Sequence, residues 1–407
     1  MKKSILWKIV LLIGVLPFVI PIFGGLYSVS VESWNLFDWL LMYSFLYWPT
    51  YLVGAVLIGL AVRQIERIAD SSLAQISLLW YNQEKTAEGR IFMRKLITTA
   101  AGELIDFDTV FEESLTLGDT PPADKVGRVE KVEYTTDVYE DGVTYPKYCL
   151  VYLPYCYDPE DKDRRYNVLY YQHGNTCEPE IFAYPENQKF FDNLFASGEI
   201  EPCIIVSTTY YFDLEKDKEE RKRSGMVPAG DGGWPGVKGN FWREVIEDIL
   251  PAVEMRYNTW LTDPSPEGLR ATRDHRAFSG YSRGSVATWR VFHYAFEYFR
   301  WYAPMSCHTT ADHTIREPVP MEEVLDYLRK PVLEHPELPF FIYASNGYPR
   351  DIGIMTEQMK YLTKSDGFSF GTDPAVNNIY FSISNFYHSD ILVPQYYYNS
   401  LKVLFHL

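Results

Sequence analysis

A serine flanked by two glycines is the strongest chemical signal in this sequence. Residues 280–284 are Gly-Tyr-Ser-Arg-Gly, a G-x-S-x-G pattern that follows a β-rich stretch at 276–279 and precedes a helical stretch at 285–298. In that context the pattern predicts a sharp strand-to-helix turn that exposes the Ser282 hydroxyl as a nucleophile. The alternative is a glycine-rich helix entry in which Ser282 is only an N-cap.

A nucleophilic serine needs a base and an acid that orients the base. Asp351 follows a predicted strand at 340–344, and His388 follows another at 378–383. The order Ser, Asp, His along the chain is the one expected for this kind of turn. Taken alone, Asp351 could be a helix cap or a solvated charge, and His388 a surface histidine. The agreement of the three positions favours a Ser282–His388–Asp351 triad.

Acyl chemistry also needs N–H donors that face the developing oxyanion. The backbone N–H of Arg283, directly after the nucleophile, is the first candidate. The second is the backbone N–H of Asn175, in the loop that follows the predicted strand ending at Tyr171. We expect His173, in the same loop, to structure it rather than to act as a base.

Three further side chains are candidate substrate contacts. Trp234 lies in a glycine-rich stretch that is either a lid or a plain loop, and Cys177 and His308 follow predicted strands. For the cysteine thiol, simple packing is the favoured alternative. No cofactor and no metal site are expected, because the Cys and His residues near His308 lack the paired or helical spacing of metal ligands.

These residues must be held by a sheet and its helices. From residue 129 onward, short β-rich runs alternate with helical ones, after an opening hairpin whose turn contains Asp141-Gly142. Such alternation predicts an α/β domain with a mostly parallel sheet and helices on both faces. Because sites in such sheets form at the carboxyl ends of strands, we expect the functional residues directly after the strands.

The N-terminal residues have a different composition. Residues 9–27 and 39–62 are 19 and 24 positions without a charge, long enough for two transmembrane helices. A buried core helix, or a signal peptide for the first segment, is the alternative. The basic residues flank the pair on its outer sides and predict that both ends are cytoplasmic; they are Lys2, Lys3, Lys8, Arg63 and Arg67.

Between the apolar segments and the α/β domain, residues 64–117 have an apolar pattern at mostly helical spacing. Residues 118–124 are rich in Gly and Pro and predict a linker. We therefore expect a transmembrane hairpin at 1–65, a helical stalk and linker at 66–126, and the α/β domain at 127–407.

Composition excludes several classes of protein. With 38 basic and 54 acidic residues the net charge is −16, which argues against nucleic acid as a partner. Hydrophobic residues at 47% and aromatic residues at 16% exclude a disordered chain. Five scattered cysteines form no disulfide framework.

Several stretches together resemble the carbohydrate esterase family 1 and esterase D group, which includes feruloyl and acetyl-xylan esterases. They are residues 151–154, 168–174, 246–257, 274–284 and 302–306. The resemblance covers about two thirds of the chain. It implies an α/β-hydrolase fold and a serine esterase acting on a small or carbohydrate-linked acyl ester.

Two other functions remain open on the sequence. One is a membrane-tethered binding or sensor protein with an inactive hydrolase domain, which should have lost part of the triad. The other is an acyltransferase that uses the same triad. The family resemblance also favours an extracellular hydrolase domain, because cell-wall polysaccharides cannot reach the cytoplasm, whereas the basic flanks favour the cytoplasmic side.

Overall fold

The computed structural model describes the backbone of most of the chain from residue 90 onward. The described residues are isolated positions between 10 and 60, and then 90–98, 104–114, 117–174, 185–211, 241–313, 319–347, 352–384, 388 and 393–406. The chain divides into two compact units, Met1–Lys85 and Thr86–Leu407. The predicted boundaries near residues 65 and 126 remain predictions.

In the first unit, the described positions between 10 and 60 have helical backbone. Within the described part of the chain, no helix is both long enough and apolar enough to cross a membrane. Most residues of the two predicted transmembrane helices, 9–27 and 39–62, lie outside the described residues. The transmembrane hairpin therefore stays a prediction.

The second unit is built on an eight-stranded sheet. Its strands are β3 (Arg128–Thr136), β4 (Tyr145–Leu153), β5 (Val168–Gln172), β6 (Ile204–Thr208), β7 (Arg276–Tyr281), β8 (Trp301–Met305), β9 (Phe341–Gly347) and β10 (Ile379–Ser384). They lie in the order β10-β9-β8-β7-β5-β6-β4-β3. All neighbouring pairs are parallel except those of β4 with β3 and with β6. The predicted α/β sheet and its opening hairpin are confirmed.

Helices cover both faces of this sheet. They are α1 (Pro185–Ala196), α2 (Phe241–Glu244), α3 (Leu250–Glu254), α4 (Pro266–Ala271), α5 (Arg283–Tyr294), α6 (Met321–Glu334), α7 (Ile352–Leu362) and α8 (Val393–Ser400). Alternate residues of a strand point to opposite faces. Phe278 of β7 accordingly belongs to the core under α2, α3, α5, α6 and α7, whereas its neighbour Ala277 belongs to the core under α1 and α8.

A π-helical turn, Val245–Ile249, joins α2 to α3. Four apolar residues spaced four apart along this segment are all buried: Phe241, Val245, Ile249 and Val253. Residues four apart drift by about 40° around an α-helix. A wider turn reduces this drift, so the π-helical turn keeps the four side chains on the sheet.

The helix predicted over residues 64–117 is wrong where the structure describes it. Strands β1 (Arg90–Thr98) and β2 (Leu104–Glu112) pair antiparallel there as a separate two-stranded sheet. Residues 105–112 alternate apolar and polar side chains almost strictly, except at Thr109 and Val110. That is the period of a strand, and it was outweighed by the helical spacing of residues 65–79.

The end of β2 is fixed to α8. The Phe111 ring meets the Tyr396 ring edge-on, with 5.9 Å between the centroids. Asn399 Oδ1 accepts a hydrogen bond from the Glu112 N–H at 2.8 Å, and Asn399 Nδ2 donates to the Glu112 carbonyl at 2.7 Å. A buried aromatic contact and a closed pair of hydrogen bonds therefore attach the end of β2 to α8.

Candidate active site

Ser282 lies at the turn between β7 and α5. Its backbone angles are φ 58° and ψ −115°, a region that a residue with a side chain rarely adopts. The Ser282 N–H donates to the carbonyl oxygen of Met305, the last residue of β8, at 2.8 Å. This hydrogen bond helps to hold the strained turn. The turn between β7 and α5 has the predicted strand–serine–helix arrangement.

The two glycines of the pattern are required by close backbone contacts. A Cβ atom added to Gly280 would lie 2.2 Å from the carbonyl oxygen of Gly284. One added to Gly284 would lie 2.0 Å from the carbonyl oxygen of Gln172, the last residue of β5. No side chain fits at either position, so both glycines of the G-x-S-x-G pattern are required by the neighbouring backbone.

His388 lies beside the serine. Its Nε2 atom is 3.0 Å from Ser282 Oγ, within hydrogen-bond distance. The His388 ring is solvent-exposed on one side and contacts the Tyr281 ring at 4.8 Å between centroids. A hydroxyl that donates to an imidazole nitrogen is the arrangement in which histidine can take the serine proton.

The loop after β5 runs along the nucleophile. A Cβ atom added to Gly174 would lie 3.4 Å from Ser282 Cβ. This loop therefore passes close to where an ester carbonyl would meet Ser282. Arg283, whose N–H is the first predicted oxyanion donor, is the first residue of α5.

His173 is buried within this loop. Its Nδ1 atom is 2.6 Å from the Gly174 carbonyl oxygen, and its Nε2 atom is 2.8 Å from Thr209 Oγ1. The Tyr210 hydroxyl also donates to the Gly174 oxygen, at 2.8 Å. Both ring nitrogens are engaged inside the protein, which agrees with the prediction that His173 structures the loop.

Thr209 and Tyr210 were missed by the sequence argument. They follow β6 directly, at the same edge of the sheet as Ser282. The rule that residues just after strands form the site applied to them as it did to His173. They were overlooked because threonine and tyrosine fit an ordinary strand end as well as a site.

His308 lies in the loop after β8 and is partly buried. Burial lowers the pKa of His308 to about 4, so the ring is neutral at physiological pH. The neighbouring Cys307 carbonyl accepts hydrogen bonds from Ser285 Oγ at 2.6 Å and from Trp289 Nε1 at 3.1 Å. These bonds hold the loop to α5, and the predicted role of His308 as a substrate contact stays a prediction.

Four predicted site residues lie outside the described residues. They are Asp351, Asn175, Trp234 and Cys177. Asp351 directly precedes α7, which begins at Ile352. The third member of the triad and the second oxyanion donor therefore remain predictions. Among the residues that the structure does describe, no three His, Cys, Asp or Glu side chains gather into a metal site.

The chain is similar to two curated xylanases. It is 27% identical over 289 residues to endo-1,4-beta-xylanase Y of Acetivibrio thermocellus, covering 70% of this chain and 24% of that protein. It is 28% identical over 173 residues to the endo-1,4-beta-xylanase/feruloyl esterase of Xylanibacter ruminicola, covering 41% of this chain and 20% of that protein. The chain thus spans a quarter or less of the length of these relatives. No protein-family model matches it.

Among solved structures, the chain is similar to a mutant of the feruloyl esterase module from Clostridium thermocellum complexed with sinapinate. The TM-score is 0.58 at 22% sequence identity, covering 77% of this chain and 96% of that one. A likeness at this level of identity concerns the fold. Together with the strand order and the turn at Ser282, it confirms the predicted α/β-hydrolase fold.

Proposed function

We propose that this protein is a serine esterase that hydrolyses a carboxylic ester of the feruloyl or acetyl type. The observation that carries the proposal is the 3.0 Å distance between Ser282 Oγ and His388 Nε2, at a strained strand-to-helix turn. A cap serine at a helix entry needs no imidazole beside it. A histidine within hydrogen-bond distance of a strained serine is the arrangement of an activated nucleophile.

In the proposed mechanism, Ser282 Oγ attacks the ester carbonyl carbon while His388 Nε2 takes its proton. The protonated His388 then gives that proton to the departing alcohol, which leaves an acyl-enzyme. Water then attacks the acyl-enzyme carbonyl while His388 takes its proton, and the return of that proton to Ser282 Oγ releases the carboxylic acid. Asp351 would hold the His388 ring in the tautomer that leaves Nε2 free to accept.

The negative charge on the carbonyl oxygen in the transition state needs donors already in place. The N–H of Arg283 and the N–H of Asn175 are proposed for this role. Donors at a fixed position lose no free energy to reorganisation when the charge appears, and each is worth about 10²–10³ in kcat.

The acyl group is proposed from the names of the similar proteins. One relative is called a feruloyl esterase, and the similar solved structure is a feruloyl esterase module complexed with sinapinate. Both names point to aromatic acids in ester linkage. We therefore propose hydroxycinnamoyl esters first, and acetyl esters second, as substrates to test.

The side of the membrane on which the site lies is also a proposal. Lys2, Lys3 and Lys8 precede the first apolar segment, and Arg63 and Arg67 follow the second. This charge pattern supports a cytoplasmic hydrolase unit. Protease treatment of intact cells tests it: protection until lysis is expected, and release of the hydrolase unit from outside would contradict it.

A fluorophosphonate probe tests the nucleophile. We expect covalent labelling of the parent protein and none of Ser282→Ala, together with a loss of several orders of magnitude in the hydrolysis of p-nitrophenyl acetate. Ser285→Ala is the matched control, because this serine is three residues away and its hydroxyl donates to the Cys307 carbonyl. The assignment fails if Ser282→Ala is still labelled or hydrolyses the ester near the parent rate.

A further inference from the structure

A buried ion pair lies behind the loop that follows β5. Lys147 of β4 and Glu244 of α2 are 2.7 Å apart, and neither side chain has any exposed surface. The Tyr134 hydroxyl donates to the same carboxylate at 2.6 Å, and the Tyr139 hydroxyl donates to it as well. Burial, and next the charge of Glu244, raise the pKa of both tyrosines, so they remain donors.

An ion pair of this kind is weak evidence for stability. Removing two charges from water costs several kcal/mol each, and apolar residues of similar volume often serve the fold as well or better. Stability alone therefore does not explain this buried pair. The contact of Lys147 with Thr209 indicates another role.

Lys147 is connected to His173 through one residue. The Lys147 ammonium also donates to the Thr209 backbone carbonyl, at 2.8 Å. The hydroxyl of the same threonine lies 2.8 Å from His173 Nε2 and accepts from the Tyr211 N–H at 3.2 Å. Thr209 is thus held by the ion pair on its main chain and by His173 on its side chain.

These contacts determine the tautomer of His173. The Gly174 carbonyl oxygen can only accept, so His173 Nδ1 carries the proton that donates to it. The Thr209 hydroxyl, whose oxygen already accepts from Tyr211, donates its proton to His173 Nε2.

The Gly174 carbonyl is consequently held by two donors, His173 Nδ1 and the Tyr210 hydroxyl. A trans peptide unit is planar, so a carbonyl oxygen and the N–H of the residue that follows it are oriented together. That next residue is Asn175, whose N–H is the proposed second oxyanion donor and which itself lies outside the described residues.

We propose that the Lys147–Glu244 ion pair and Thr209 are positioning residues for the oxyanion loop. The pair fixes the Thr209 main chain, Thr209 fixes the tautomer and orientation of His173, and His173 holds the Gly174 carbonyl of the peptide unit proposed to supply the second oxyanion donor. This inference rests on the proposed esterase function. It adds a chain of buried polar contacts that runs from Lys147 of β4 and Glu244 of α2 to the loop beside Ser282.

A second buried ion pair supplies the matched comparison. Arg276, the first residue of β7, bonds the Glu254 carboxylate at 2.6 and 2.9 Å, and both side chains are buried. The Tyr170 hydroxyl donates to the same carboxylate at 2.8 Å. Arg276 is at the opposite end of β7 from Ser282, so this pair is built like the first but lies away from the reacting atoms.

The main test compares Thr209→Val with Thr209→Ser. Valine has nearly the same shape but no hydroxyl, and serine keeps the hydroxyl. In Thr209→Val we expect kcat for p-nitrophenyl acetate to fall about tenfold or more with KM nearly unchanged, because only the transition state carries the oxyanion. Thr209→Ser should restore most of kcat. Inhibition by an aryl trifluoromethyl ketone, whose adduct carries an oxyanion, should weaken in parallel with kcat.

Two further variants separate positioning from folding. Tyr210→Phe removes one donor to the Gly174 oxygen and should lower kcat a few-fold, with a melting temperature close to that of the parent. The double replacement Lys147→Met with Glu244→Gln should lower kcat of the folded protein. The corresponding double replacement Arg276→Met with Glu254→Gln should change stability only.

The outcomes separate this inference from the proposed function. Folded Thr209→Val and Tyr210→Phe proteins with parental kcat and parental ketone inhibition would overturn the positioning role, while the esterase assignment would stand. If Thr209→Val does not fold, the comparison of the two ion-pair double replacements decides: equal kcat values for the two folded proteins would overturn the positioning role. A parent protein that neither hydrolyses esters nor reacts with the fluorophosphonate probe would overturn both.

Discussion

The two sides of the candidate site are built in different ways. On the nucleophile side, Ser282 is fixed by its backbone: the turn is strained, and Gly280 and Gly284 are pressed against neighbouring carbonyl oxygens. On the acid–base side, His388 is exposed after the end of β10 and meets the serine through one hydrogen bond at 3.0 Å. The turn that carries Ser282 is packed into the core, whereas His388 lies on the surface next to it.

This difference separates two kinds of damage. A change at Gly280 or Gly284 disturbs buried strands and a buried helix, so folding and activity should be lost together. A change at His388 alters an exposed group, so activity should be lost while the fold remains. Variants of the two sides should therefore differ in stability even when both are inactive.

The largest effect on rate is expected on the acid–base side. Asp351→Asn should lower kcat about 10⁴-fold, because the amide favours the wrong tautomer of His388, and should leave the melting temperature nearly unchanged. Steady-state kinetics and thermal unfolding measure both. Asp312→Asn is the control, since this acid already accepts from Tyr294 and pairs with Arg290. A near-parental Asp351→Asn would require another acid.

The next effect tests the nucleophile side. Gly284→Ala places a methyl group where the Gln172 carbonyl oxygen would be 2.0 Å away. We expect it to lower the free energy of unfolding by about 3 kcal/mol or more and to remove activity with it. Gly118→Ala should be tolerated, because its Cβ would lie 3.7 Å from the Phe190 ring, an ordinary contact. Unchanged stability of Gly284→Ala in urea would contradict the described turn.

A smaller effect is expected where the two sides meet. Tyr281 is buried at the end of β7, and its ring contacts that of His388. Tyr281→Leu removes this support, and a poorly placed base should cost about tenfold in kcat in addition to some stability. Tyr302→Leu, a similar truncation of a buried tyrosine in β8, should cost stability alone. Equal kcat values for the two folded variants would show that the ring contact does not place His388.

The smallest effect is a change in the pH dependence of stability, and it concerns His308. This residue is in the loop after β8 and is distant in sequence from both Ser282 and His388. Its pKa of about 4 is below the unfolded value of about 6.5. Between pH 6.5 and 4 the unfolded state therefore binds more protons, and stability falls as the pH falls. Urea unfolding of the parent should show a larger loss over this range than that of His308→Gln. An identical fall in the free energy of unfolding for the two proteins would show that His308 does not contribute to the pH dependence of stability.

Much of the hydrolase unit follows from local sequence. The buried strands are short apolar runs, and the turn at Ser282 is specified by the two glycines, which no other residue could replace. Asp351 and His388 could be named because strand ends meet at one edge of a parallel sheet. His388 Nε2 lies 3.0 Å from Ser282 Oγ, whereas the position of Asp351 and the roles of both residues stay predictions.

Other parts could not be obtained in this way. The positions of Thr209 and Tyr210 depend on which strands are neighbours, and β6 lies beside β5 only in the folded sheet. The strands β1 and β2 were not predicted because β1 has no clear alternation and the alternation of β2 lies beside a helical pattern at 65–79. The buried pair of Lys147 and Glu244 could not be predicted, because a charged residue in a strand or helix is ordinarily taken as solvent-facing.

The attachment of β2 to α8 has a consequence for biosynthesis. Glu112 and its partner Asn399 are 287 positions apart, and His388 precedes α8 by only a few residues. A growing chain therefore leaves Phe111 uncovered and Ser282 without His388 until the segment up to α8 has been made. Protection of this apolar surface and the onset of catalysis should accordingly arise in the same late step, and a chain cut before His388 should be both inactive and prone to aggregate.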